Sequence, residues 1–122
     1  MKLNEKDIQI LQHIIRYCTE IALTIDRYGM NREHFMQDFV YRNAVSMPIF
    51  QIGELANHLS QDFLLHNKQI PWKSIVGMRN WFAHGYQIMD VSEIWNTATV
   101  DIPSLKEFCE KAMRDSTDDT GK

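Results

Sequence analysis

The chain is short of almost everything that would take it away from a compact helical protein. Its 122 residues include only 5 glycines and 3 prolines, too few for a collagen-like, linker-rich or turn-dense β architecture. The two cysteines, Cys18 and Cys109, sit far apart in no close-spaced motif, which argues against a disulfide framework or a cysteine-based metal finger. Each falls on an apolar helical stripe and reads as a small buried hydrophobe rather than a nucleophile. No apolar run approaches membrane-spanning length, and the opening stretch from Met1 to Asp7 has no signal-peptide hydrophobic region. The cytoplasm, with no membrane partner, is the expected location.

An excess of positive charge is missing too. The formal net charge is −3, so no global basic field advertises nucleic-acid binding, and any RNA contact has to come from a local patch. What is present is enough apolar material for a core. Hydrophobic residues make up 44% and charged residues 24%, a globular composition at a length that suits one domain without disulfides or metal.

Periodicity assigns that core to helices. Ile8, Leu11, Ile15, Cys18, Ala22 and Ile25 recur at three- and four-residue steps, a seam on a helix of roughly 20 residues, and Ile14 and Ile21 widen it. Gly29 suits a left-handed cap for this helix, and Asn31 suits the cap of the next. A second stretch runs from Arg32 to Leu64, with Pro48 predicting a kink or break inside it. Pro71 fits the first turn of a third helix ending at Gly85. A fourth spans Ser92 to Met113, with Pro103 expected to kink or split it. There is no internal repeat and no strand-like alternation. The expected fold is all-α, an antiparallel four- to five-helix bundle over residues 1–114, followed by a frayed polar tail over 115–122.

The stretch Arg79-Asn80-Trp81-Phe82-Ala83-His84-Gly85-Tyr86 carries the chemistry. Arg79 supplies a permanent, planar cation suited to a phosphate, and His84 the side chain best suited to moving protons near neutral pH. Five residues apart on a regular helix they would be roughly 140° out of phase, so the helix has to end near Gly85 for them to meet. Asn80 adds an amide able to orient the arginine or hold a phosphate oxygen, and Tyr86 follows just past the glycine. The pattern suits RNA transesterification without metal or cofactor. His84 removes the 2′-OH proton, the alkoxide attacks the adjacent phosphorus, and Arg79 stabilises charge on the phosphoryl oxygens. The products are a 2′,3′-cyclic phosphate and a 5′-OH. A symmetric dimer bringing two His84 residues to one cleft would supply the general acid as well.

With its lead-in, Ile70-Pro71-Trp72-Lys73-Ser74-Ile75-Val76-Gly77-Met78-Arg79-Asn80, the motif resembles the R-x4-H-x-Y signature of HepT-type toxins in the HEPN superfamily. Gln51-Ile52-Gly53-Glu54-Leu55-Ala56 resembles that family's I-G-E-x-A segment. The resemblance covers roughly residues 5 to 113. It implies a HEPN bundle, a homodimer with the motif lining a cleft between subunits, and endoribonuclease toxin activity on RNA or tRNA. It also implies a minimal, MntA-like nucleotidyltransferase antitoxin that transfers AMP to the motif tyrosine. Arg79 and His84 then map as catalytic, Asn80 as supporting, and Tyr86 as the modification site.

Plainer readings compete with these. Arg79 and His84 also suit a helix-end cation and C-terminal cap, and Tyr86 a half-buried packing residue with a wet hydroxyl. Glu54, His58, Asp62 and His66 recur every four residues as a metal-ligand pattern or, more simply, a solvated face. Glu54 stands among apolar residues, which suits a part-buried carboxylate orienting Arg79. Trp72, Trp81 and Trp95 suit core or dimer packing as well as base stacking. The alternative function is a non-catalytic HEPN adaptor or scaffold that partners a nucleotidyltransferase.

Overall fold

The computed structural model describes residues 2–83 and 91–120, and among them there is no strand. The first helix, α1 (Glu5–Tyr28), starts where Asn4 accepts the Asp7 backbone N–H at 2.7 Å. It ends at Gly29, whose φ of +104° is the only positive value among the described residues. That conformation strains any residue with a Cβ, so a glycine belongs here, although its ψ of 142° is not that of the left-handed helix. The buried stripe of α1 is Asp7, Leu11, Ile14, Cys18, Ile21 and Ile25, with Ile10 beside it. The periodicity is as expected but the centre is rotated, leaving Ile8 and Ile15 partly covered and Ala22 exposed. Two neighbours cause the rotation, for α1 packs chiefly against α3 and also against the last helix.

The stretch expected as one helix broken at Pro48 is instead α2 (Arg32–Gln37), α3 (Phe39–Ala56) and α4 (Gln61–His66). Asn31 caps α2 as expected by accepting the His34 backbone N–H at 2.9 Å. The break falls at Asp38, whose extended backbone lets its carboxylate accept the N–H groups of Val40 (2.9 Å) and Tyr41 (3.2 Å). Pro48 lies buried inside α3 without ending it. A second break after Ala56 is held by the buried Asp7 carboxylate. It accepts the Ser60 N–H at 2.9 Å and the Ser60 hydroxyl, while the Ser60 Oγ accepts the Phe63 N–H and caps α4.

Pro71 stands as the N-cap of α5 (Trp72–Gly77), just outside the first turn rather than in it. The expected third helix is divided into α5 and α6 (Asn80–Ala83). Beyond the undescribed stretch, α7 (Val91–Asn96) runs through a π-helical segment (Thr97–Asp101) into α8 (Ile102–Thr120). Of the kink or split expected at Pro103, the split is absent, and an irregular turn stands just before it. Pro103 has no N–H for a regular helical bond, and the wider π turn, with the Ile102 N–H bonded to the Thr97 carbonyl, carries the chain past it. The α8 helix continues to Thr120 where a frayed tail from Asp115 was expected. Ser116, 4% exposed, accepts the Leu3 backbone N–H at 3.0 Å and pins this end to the start of the chain.

The helices enclose one core. Tyr28 and Tyr41 stack at 4.9 Å, Phe35 meets Trp95 at 5.0 Å, and Phe63, Trp72 and Phe108 form a second aromatic cluster. Cys18 and Cys109 are free thiols within this core, as their place on apolar stripes predicts. Among the described residues no helix is long and apolar enough to cross a membrane.

Candidate active site

The site begins with a glycine inside a helix. At Gly53 on α3 an added Cβ would lie 3.0 Å from the Arg79 backbone nitrogen, 3.0 Å from the Ile75 carbonyl oxygen and 3.4 Å from the Arg79 Cβ. No side chain fits there without moving backbone. Gly53 thus lets the α5–α6 junction lie directly on α3. Sequence reasoning assigned Gly53 no role of its own; its signal was a glycine in a helix interior, a position that costs stability unless close packing repays it.

The junction has its own geometry. Met78 N–H bonds the Ile75 carbonyl, Arg79 N–H the Val76 carbonyl and Trp81 N–H the Met78 carbonyl, each three residues back. The chain tightens here, after the weak helix former Gly77; the end expected near Gly85 lies outside the described residues. Arg79 consequently leaves the helix at a tight turn and α6 starts at the next residue. Its Nη1 lies 3.6 Å from Glu54 Oε1, with the two side chains 35% and 40% exposed. This is an ion pair without a short hydrogen bond, worth about 1 kcal/mol or less in such an exposed setting. The guanidinium fork is part-exposed and can meet an incoming anion. Glu54 is half-buried and beside Arg79, in line with its place among apolar residues. Asn80 is exposed as the first residue of α6.

His84 and Tyr86 lie outside the described residues, one and three positions beyond the end of α6. The structure therefore brings together Glu54 and Arg79, with Asn80 next in the chain. The row Glu54, His58, Asp62, His66 does not form one face, because α3 ends at Ala56 and α4 begins at Gln61. His66 instead donates from Nδ1 to the Asp62 carbonyl at 2.8 Å. Of the tryptophans, Trp72 and Trp95 are core residues at 8% exposure, whereas Trp81 is only partly buried.

This arrangement, an arginine turn seated on a Gly-Glu pair ahead of a histidine and a tyrosine, can be set beside known proteins. A protein from Thermococcus cleftensis named "Probable ribonuclease HepT" is 37% identical over 103 residues, covering 80% of this chain and 94% of its own. "Putative RNase TTE0752" from Caldanaerobacter subterraneus is 31% identical over 104 residues, covering 85% and 91%. No solved structure gives a significant match. The family model described as "Ribonuclease HepT-like" matches residues 8–112, so the matched region includes the Gly53–Glu54 seat, the Arg79 turn and the His84–Tyr86 stretch, and the chain belongs to the HepT-like ribonuclease family.

Proposed function

We propose that this protein is a metal-independent endoribonuclease toxin that cleaves RNA by 2′-OH attack. The observation that carries the reading is the seat of Arg79. A backbone contact at Gly53 and a carboxylate at Glu54 hold the cation at a turn, with the four residues of α6 between it and His84 in the sequence. A phosphodiester held by the Arg79 fork presents its phosphorus to an adjacent 2′-OH, and His84 is the group in the motif able to accept that proton. Asn80 borders the same turn and can bind a second phosphoryl oxygen.

One histidine serves poorly as both base and acid, so the working unit is a homodimer with the motifs of both subunits at one cleft. A minimal nucleotidyltransferase antitoxin silences it by moving the AMP group of ATP onto the Tyr86 hydroxyl, with pyrophosphate leaving. The added negative charge competes for the Arg79 fork where a substrate phosphate would bind. tRNA is the substrate class to test first, on the family resemblance. The test is cleavage of RNA by purified protein in EDTA. We expect His84→Ala to reduce the rate by about 10²- to 10⁴-fold with the helical fold intact. Undiminished cleavage by His84→Ala, or cleavage only with a divalent metal, would refute the mechanism.

The net charge of −3 favours a second reading, a non-catalytic adaptor that binds the nucleotidyltransferase. Stable complex formation with that partner, together with no cleavage of any RNA by the wild-type protein, would select it.

A further inference from the structure

A groove of about 420 Å³ opens between the Trp72–Ala83 stretch and the π-helical segment with the start of α8. Ile75, Met78 and Trp81 line one wall, Asp101 and Ser104 the other, and the exposed Ser74 stands at the rim. Among the described residues that line it, Asp101 is the only charged one. No residue of α3 lines the groove, whereas the Arg79 side chain meets Glu54 on α3.

We propose that this groove takes one nucleobase of the RNA strand, stacked on the Trp81 indole, with the Asp101 carboxylate accepting hydrogen bonds from the base edge. The proposal rests on the ribonuclease reading and adds a specificity subsite to it. Four observations point the same way. The volume suits a small planar ligand. Trp81 is the tryptophan among the three that the core leaves partly uncovered, and an aromatic face is what a splayed-out base stacks upon. A lone carboxylate among otherwise uncharged walls repels a phosphate but matches N–H donors, and guanine offers two adjacent ones, an imino and an amino group, to its two oxygens. Finally, Trp81 is two residues from Arg79. A strand whose phosphate sits on Arg79 reaches the groove around a single helical segment, a path of roughly 16–19 Å at most. Uracil, with one N–H on that edge, fits Asp101 less well, so the groove discriminates among bases.

Titration of the whole protein with guanosine and with uridine, followed by amide NMR, tests the site without using cleavage. Guanosine should shift the signals of Ser74, Asp101 and Ser104 and bind about fivefold or more tightly than uridine. Ser104→Phe, at an exposed position, should fill the groove and abolish both responses. Asp101→Ala should retain binding but bring the two nucleosides to equal affinity, and should flatten any base preference beside the cut in a random-sequence RNA. Absence of guanosine shifts at these residues overturns the proposal. So does an unchanged guanosine-to-uridine ratio in Asp101→Ala, or a groove that answers an apolar peptide and no nucleoside. Guanosine binding by a protein that cuts no RNA supports the groove and refutes the ribonuclease reading; RNA cleavage without nucleoside binding does the reverse.

Discussion

At Gly53 a single methyl group would meet two backbone atoms, Arg79 N and Ile75 O, each at 3.0 Å. Neither can swing aside as a side chain does, so Gly53→Ala should push the α5–α6 junction off α3. We expect a loss of about 1–3 kcal/mol in urea unfolding and a fall in RNA cleavage larger than the stability change explains. Full activity in Gly53→Ala would show that the seat of Arg79 does not matter. Arg79→Ala and Arg79→Lys should both lose about 10²- to 10³-fold in rate, because a point charge cannot replace the guanidinium fork. Glu54→Gln keeps the shape and removes the charge. It should change kcat more than KM if Glu54 positions Arg79, and KM alone if the carboxylate merely competes with substrate phosphate. Cys18 and Cys109 make a contrast within the same chain. Burial pushes the Cys18 thiol up to about 12 and raises Cys109 as well. Both should resist alkylation at neutral and mildly alkaline pH until the protein is unfolded, and rapid labelling of the folded chain would contradict their burial.

Helix boundaries follow from caps more than from prolines. Asp38 breaks the long second stretch because its carboxylate satisfies the first donors of α3. Those bonds, Tyr41 N–H foremost and His34 Nε2 at 3.1 Å in addition, hold its carboxyl below the ordinary carboxylate range. The folded state thus binds this proton less readily than the unfolded one. Its contribution to stability is present above the unfolded pKa, about 3.9, and is lost as pH falls through the lower folded value. Asp38→Ala should therefore lower Tm at neutral pH, and the gap to wild type should close in strong acid; a gap independent of pH would remove the carboxylate from the account. Much of this was legible from residues: the Asn31 cap, the Gly29 stop and the burial of both cysteines. The break at Asp38 was not, because an aspartate between Gln37 and Phe39 resembles any solvated helical residue until its backbone is seen to be extended. Of the kink or break expected at Pro48 and Pro103, no break falls at either residue: α3 runs on through Pro48, and a π segment leads directly into α8 ahead of Pro103. The carboxylate of Asp7 was equally hidden, as only the fold brings Ser60 to it.

Buried residues of α1, α2, α3, α4, α5, α7, the π segment and α8 share one interior, and the Leu3–Ser116 bond ties its two ends. The all-α class was readable because apolar periodicity is a property of each helix. Their mutual placement was not, because it depends on contacts such as Gly53 with Arg79 that no periodicity encodes. The Arg79–His84 motif was legible as a string, and its arginine half now has a seat. The quaternary expectation is a homodimer. Sedimentation at micromolar concentration should give about twice the mass of the 14.4 kDa chain, and a monomer that nonetheless cleaves RNA would mean that one motif supplies both acid and base. The bond between Leu3 and Ser116 bears on how such a protein is made. The α1 helix is made before α8, yet part of its packing surface is α8, the last helix described. A nascent chain that already displays Arg79 and His84 still lacks the helix that closes the bundle. The order of synthesis alone would then delay closure of the bundle until after the Arg79 turn has been made.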